Sequence, residues 1–448
     1  MARPRLFRDP IHLQLRYERA EGTTLPEPGR KRLGWVVQRI IDSPEFQRLR
    51  HIRQTGLANV VFHGAEHSRF SHSMGVAYLA AEMFGHISRN MDETPDEAHL
   101  LATAVAALLH DVGHGPFSHS LEDILRESGV DFDHEKMTVR IIEESSIRKS
   151  LDLVETNFAT DVAAYIDKKK RTADHWRHKL VSSQLDADRL DYLLRDAAAA
   201  GLRGHTYDLS RLLDMIQHLD GKRIAVHRRG LETVEGYLVA LDQMYRAVYY
   251  HHTIRAASVL LGSVFQRAIE LVRQGDKKVV PDGHPLRSLF EAGHKCDLSQ
   301  YLRLGEYQVW SLIEGWQTSE DKCLADLSVR LMQRRLFKTM ELDVSKISQF
   351  PKIMKIAEEL ACKAIPSCDE KTKHLYVRID EPTRISYRTY DWRTENPDES
   401  IWICGGTKNM PIEAHPGSKI IDGLRDTNYF PRLVFASEIR DELLKATK

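Results

Sequence analysis

The run LLATAVAALL, residues 100–109, carries no charge and is followed at once by His110-Asp111. Ten apolar or small residues without a polar stripe read as a helix that is hydrophobic on every side. Such a helix is stable only when other elements bury it completely. The fold is therefore expected to be a layered helical core around this segment. The first strongly polar groups to leave it are an imidazole and a carboxylate side by side, posed by a rigid helix end.

Histidine and aspartate are the ligands that a hard or borderline divalent cation uses at neutral pH. His72 stands in HSRFSHSMG; His110, Asp111, His114 and His119 stand in LLHDVGHGPFSH; Asp188 stands in DADRLDY. Each histidine alone reads as a capping or core side chain. The three motifs together favour a metal centre of His72, His110, Asp111 and Asp188. That donor mix suits Mn, Fe, Co, Ni or Mg, with Zn also compatible.

The H…HD…D order resembles the HD-domain metal-dependent phosphohydrolases, and the likeness extends beyond the ligands. FRDPIH (7–12), IIDSPEFQRLRHIRQTG (40–56), GAEHSRFSHSMGVAYLA (64–80), HDVGHGPFSH, DHE (133–135) and LDADRLDYLLRDA (185–197) follow one another in family order. That succession is similar to the deoxynucleoside triphosphate triphosphohydrolase branch, which includes the sterile-alpha-motif/HD enzyme and shorter bacterial relatives. It covers residues 5 to 260 or so and fades afterwards.

The resemblance implies roles for further residues. His114 and His134 would line the phosphate site, with Glu135 behind and His119 as proton donor to the leaving oxygen. Glu122 stands where the family usually has aspartate; helix capping and solvation are the plainer reading of His119 and Glu122. Arg69 offers phosphate a forked donor, and Arg189 replaces a phosphate-binding lysine. Tyr192 and Asp196 follow Arg189 at i+3 and i+7 on one helical face. In the family that face binds triphosphate, sugar and base; otherwise it is a salt-bridge stripe. Tyr249 would wall the base or belong to the core. Gln54 matches the residue that bonds the sugar 3′-hydroxyl. Thr55 stands where the human-type enzyme has a leucine against the 2′ position, which loosens the expected rejection of ribonucleotides. Asp42, Gln47 and Arg50 match residues that bind an activating guanine nucleotide at a subunit interface, and also read as a capped, exposed helix.

Composition sets outer bounds. With 448 residues the chain can bury a large core and form more than one lobe. Lys+Arg and Asp+Glu are both 64, which argues against a globally basic nucleic-acid binder. Five cysteines, none in a C-x-x-C pair, and no signal peptide point to reduced thiols in the cytoplasm. No run approaches the roughly 18 apolar residues of a membrane span. Neither a G-x-x-x-x-G-K-[ST] loop nor H-E-x-x-H occurs, which disfavours a P-loop ATPase or a zincin.

The expected architecture is mainly α, with an N-terminal arm and loop (1–32), a helical HD core (33–337) and a smaller α+β C-terminal lobe (338–448). HLYVRID, RISYRTY and ESIWICGG read as strands there, and FASEIRDELLKATK as a closing helix. Asp42-Ser43-Pro44 and Asp133 read as helix starts. The expected activity is metal-dependent hydrolysis of a dNTP to deoxynucleoside and triphosphate by a homo-oligomer, dimer to tetramer, open to nucleotide activation. An HD-type phosphodiesterase or nuclease would use the same metal core. A nucleotide-sensing interaction protein would keep the fold without turnover.

Overall fold

A computed structural model describes residues 4–18, 25–27, 29–381, 400–418, 420–424 and 430–447. The chain is mainly helical. Its first helices are α1 (Arg30–Ile41), α2 (Pro44–Gln47), α3 (Arg69–Asn90), α4 (Glu97–Leu109), α5 (His119–Glu127) and α6 (His134–Glu144). The apolar run forms α4. Asp96 caps it by accepting from the N–H groups of Ala98 and His99, and every residue from Leu101 to Leu109 is buried. α3 packs along α4 on one side.

The chain continues through α7 (Ser146–Leu151), α8 (Phe158–Ile166), α9 (Trp176–Lys179), α10 (Ala187–Ala199), α11 (Leu209–Met215), α12 (Leu231–Met244) and α13 (His252–Arg273). α10 packs on α3, so the helices bearing His72 and Asp188 touch, while α3 also touches the helix that ends at His110. Between α12 and α13 the chain makes a π-helical turn, Tyr245–Tyr249. Turns of this kind are frequent at functional sites.

The arm forms a hairpin of β1 (Arg5–Asp9) and β2 (Leu13–Tyr17). A second hairpin, β3 (Ile216–Leu219) and β4 (Arg223–His227), interrupts the helical stretch; Asp220 and Gly221 at its tip have φ of 52° and 71°. β4 pairs in parallel with β7 (Trp402–Cys404), which pairs with β8 (Met410–Pro411). A third sheet has β9 (Arg432–Phe435) between β5 (Lys338–Glu341) and β6 (Val377–Asp380). A helix spans Arg440–Ala446. The expected strand RISYRTY lies outside the described residues, as does part of the expected N-terminal arm and loop (1–32). At the 42–44 corner the cap is Ser43, which accepts from Phe46 N–H, whereas Asp42 ends α1. Asp133 caps α6 as expected. Among the described residues no helix is long and apolar enough to cross a membrane.

Candidate active site

His72, His110, Asp111 and Asp188 converge. His110 follows the last turn of α4, and its Nδ1 donates to the Ala107 carbonyl at 2.7 Å. In the neutral tautomer this leaves Nε2 with a lone pair. That atom is buried and makes no hydrogen bond among the described residues, although Asp111 Oδ1 lies 3.3 Å and Asp188 Oδ1 3.6 Å away. His72 Nε2 is 3.0 Å from Asp188 Oδ1 and 3.7 Å from Asp111 Oδ2. One atom each of His72, His110 and Asp111 lies within 4.8 Å of the others. A buried acceptor facing carboxylates is costly unless a cation sits among them. The donor set, two imidazoles and two carboxylates, fits a divalent ion.

The surrounding field also favours positive charge. Burial alone would lower the His72 imidazole, but its hydrogen bonds to the Asp188 and Asp191 carboxylates push it up to about 10. Burial likewise opposes ionisation of Asp111; Arg69, His110 and His114 outweigh it and hold the carboxyl well below its usual range. Arg69 donates Nη1 to Asp111 Oδ2 and Nε to Ser118 Oγ, the latter at 3.1 Å.

The turn after Asp111 is pinned from three sides. Arg48 Nη2 donates to the carbonyls of Val112 and His114 at 2.7 and 2.8 Å. Tyr301 hydroxyl donates to Gly113 O at 2.7 Å. Thr138 Oγ1 on α6 accepts from Gly113 N–H at 3.0 Å and donates to His110 O at 3.1 Å. A Cβ on Gly113 would lie 2.3 Å from both His134 O and Thr138 N, so no side chain fits there. Downstream, Phe117 and Ser118 have φ of 61° and 57°. Non-glycine residues pay for that conformation, and it clusters at functional sites.

Beside the four ligand candidates stands a histidine cluster. The rings of His114 and His134 stack at 3.9 Å, and His119 meets His114 edge-on at 4.9 Å. Glu122 Oε2 is 2.7 Å from His134 Nδ1 and 3.7 Å from His119 Nδ1. Burial would raise the Glu122 carboxyl, but bonds from His119 and His134 hold it well below the usual carboxylate range. Burial, with Arg69 and His134 nearby, keeps His114 neutral by lowering it well below its ordinary value. Glu135 is exposed on the first turn of α6.

A third group lies along α10. Asp196 bonds His67 Nε2 through Oδ1 at 2.7 Å and the Tyr249 hydroxyl through Oδ2 at 2.6 Å. Tyr192 stands between Tyr249 and His72, edge-on to both, at 6.2 and 6.5 Å. Arg189 donates Nη1 to Gln184 Oε1 at 3.0 Å. Gln54 Oε1 and Thr55 Oγ1 are buried without a hydrogen-bond partner among the described residues. Ser118 Oγ reaches the carbonyls of Arg53 and Gln54 at 2.8 and 3.2 Å, tying that segment to Arg69. Asp42, Gln47 and Arg50 lie apart from these groups in the contacts they make. Asp42 pairs with Arg5 at 3.3 Å, and Arg50 bonds Gln47 at 2.8 Å. Gln47 and Arg50 border a hollow of about 320 Å³ with His51, Arg303, Tyr307 and Gln308.

Sequence reasoning overlooked Arg48, Tyr301, Thr138, His67 and Ser118, and the group of Asp9, His12, Asp191 and Arg195 behind His72. Asp191 and Arg195 carried a local signal, since they fall three and seven residues after Asp188 in α10 and so share its face, and Asp9 and His12 stand in the FRDPIH motif.

Residues 69–196 match the HD domain, and residues 207–281 match the HD associated region. The uncharacterized protein YwfO of Bacillus subtilis (strain 168) is 36% identical over 441 residues, 96% of this chain and 93% of that protein. The deoxynucleoside triphosphate triphosphohydrolase SAMHD1 of Bos taurus is 27% identical over 286 residues, 54% of this chain and 47% of that protein. The crystal structure of a phosphohydrolase from Bacteroides thetaiotaomicron VPI-5482 superposes with a TM-score of 0.75 at 26% identity, covering 96% of this chain and 99% of that one.

Proposed function

The chain belongs to the HD-domain family of metal-dependent phosphohydrolases, and from that premise we propose that it is a deoxynucleoside triphosphate triphosphohydrolase. The reaction is dNTP plus water to deoxynucleoside plus inorganic triphosphate. One observation carries this reading beyond the family. Asp111, Arg69, Ser118 and the Gln54 backbone carbonyl form a chain of contacts that runs from the metal-ligand candidates to the segment carrying Gln54 Oε1 and Thr55 Oγ1, two buried oxygens without a hydrogen-bond partner among the described residues. Buried polar atoms require partners, and sugar hydroxyls next to a phosphate would supply them.

A divalent cation held by His72, His110, Asp111 and Asp188 would polarise a phosphoryl oxygen and acidify its water. The other roles belong to side chains. Arg69 and Arg189 balance phosphate charge, and His114 and His134 line the phosphates with Glu135 behind. Water bonds to the α-phosphorus as the bond to the 5′ oxygen breaks. His119, oriented by Glu122, gives that oxygen its proton. Gln54 and Thr55 face the sugar; Tyr192, Tyr249 and Asp196 enclose the rest of the nucleoside. Asp42, Gln47 and Arg50 form the effector site, where a guanine nucleotide favours a larger homo-oligomer.

The test is to load the protein with a divalent metal, supply each dNTP singly and as a mixture, and identify products by mass. Deoxynucleoside and triphosphate, lost in Asp111→Ala, are expected. Cleavage of a single-stranded oligonucleotide or a cyclic nucleotide with no dNTP turnover would overturn the proposal.

A further inference from the structure

His72 is fully buried, and its Nδ1 lies 2.8 Å from Asp191 Oδ2. A carboxylate there fixes the tautomer with the proton on Nδ1, so that Nε2 is the ligating atom, and makes the imidazole a stronger donor. Asp191 is itself fully buried and shared. Its Oδ1 accepts from His12 Nε2 at 2.7 Å and from Arg195 Nη2 at 2.9 Å, while Oδ2 also accepts from Arg195 Nε at 2.8 Å. The far side of the Arg195 guanidinium grips Asp9, with Nη1 to Oδ2 at 2.9 Å and Nη2 to Oδ1 at 3.2 Å.

Asp9 and His12 lie in the N-terminal hairpin, 179 or more residues from the helix they bind. Asp9 Oδ1 also accepts from the backbone N–H groups of Ile11 and His12, each at 2.9 Å, and so shapes the turn that delivers the His12 ring. Room for the network is taken from α3: a Cβ on Gly75 would stand 2.1 Å from Asp191 Oδ1 and 2.4 Å from Arg195 Nη2. Two carboxylates thus meet one guanidinium behind His72, with the His12 and His72 rings completing the bonds of Asp191 on the side away from His72 Nε2.

We infer that the N-terminal hairpin is part of the metal centre: His12 and Asp9 are positioning residues that act through Asp191 and Arg195 to set the metal affinity of His72. The inference rests on the metal-site reading given above. Groups in this relation to a metal ligand typically change affinity about 10–100-fold when removed.

The test uses the full chain and Mn(II), titrated with the free ion followed by electron paramagnetic resonance. His12→Leu fills the space without a donor, whereas His12→Gln keeps an N–H that reaches Asp191. The leucine variant is expected to weaken Mn(II) binding about 10–100-fold, and the glutamine variant to restore it to within a few-fold of wild type. Equal affinities in both variants and wild type would overturn the inference. If His12→Leu does not fold, Asp9→Asn keeps the shape, removes one charge and carries the same expected loss; an unchanged affinity there overturns it equally. Asp188→Ala separates the two levels. Failure of the wild-type chain to bind Mn(II), or binding indifferent to Asp188→Ala, refutes the metal site itself. Binding lost in Asp188→Ala yet untouched in the hairpin variants refutes the hairpin's role alone.

Discussion

Gly113→Ala is the sharpest packing test of the site. An added Cβ would stand 2.3 Å from His134 O, 2.3 Å from Thr138 N and 2.5 Å from Thr138 Oγ1, against 3.4 Å or more for ordinary contact. Two of those atoms are backbone, so α6 must recede by roughly 1 Å rather than swing a side chain aside. Overpacking of this kind costs about 1–3 kcal/mol. The Gly113 N–H bond to Thr138, stretched by the shift, adds about 1 kcal/mol, for a loss near 2–4 kcal/mol. His134 moves with α6, so its stacking on His114 and its bond to Glu122 weaken together. Gly85, inside α3, provides the control, because its added Cβ meets nothing within 4 Å. Gly85→Ala should stabilise by about 0.5–1 kcal/mol through helix propensity. Urea unfolding of both variants, alongside phosphohydrolase assays, measures the contrast. A Gly113→Ala protein as stable and as active as wild type would refute the tightly pinned turn.

Asp111→Ala should lose bound metal and turnover together, and unfold more easily because the buried Arg69 guanidinium is left without its carboxylate; elemental analysis showing full metal would contradict the ligand assignment. Thr55→Leu should raise the ratio of dGTP to GTP turnover by filling space near the sugar, and an unchanged ratio would place the 2′ gate elsewhere. Arg50→Ala should abolish guanine-nucleotide-induced assembly in light scattering while metal content stays normal; assembly and activity that never depended on an effector would leave Asp42, Gln47 and Arg50 as an ordinary helix corner. Acid sensitivity should trace partly to His178, which burial, with Arg171 and His175, pushes down to about 4. Its unfolded value is about 6.5, so the unfolded chain takes up the proton first and stability falls as pH drops from about 6.5 towards 4. His178→Asn should flatten the melting temperature across that window, and an unaltered slope would assign the effect to other groups.

Legibility in the sequence followed the range of each interaction. α4 was plain because a helix with no polar side can only be buried, and the cap at Asp133 obeys a local rule. The β3–β4 hairpin was missed inside a helical stretch although Asp220-Gly221 is a strong turn signal; its strands of 4 and 5 residues were too short to show a period of two. At the 42–44 corner, two capping residues stand in a row and only geometry gives Ser43 the role. The four ligand candidates were legible from three motifs. What holds them was not: the bonds from His12 to Asp191, Arg48 to His114 and Tyr301 to Gly113 span 179, 66 and 188 residues. No local pattern marks such pairs. Arg189 shows the converse, since its place on the face of Tyr192 and Asp196 was legible but its bond to Gln184 was not.

In the proposed reaction these groups direct water to the α-phosphorus of a deoxynucleoside triphosphate. Hydrolysis of a dNTP by the metal-loaded protein in ¹⁸O-labelled water, with products resolved by mass, tests it most directly. One heavy oxygen is expected in inorganic triphosphate and none in the deoxynucleoside. Label in a deoxynucleoside, or products such as orthophosphate or pyrophosphate with a nucleotide still bearing phosphate, would contradict it.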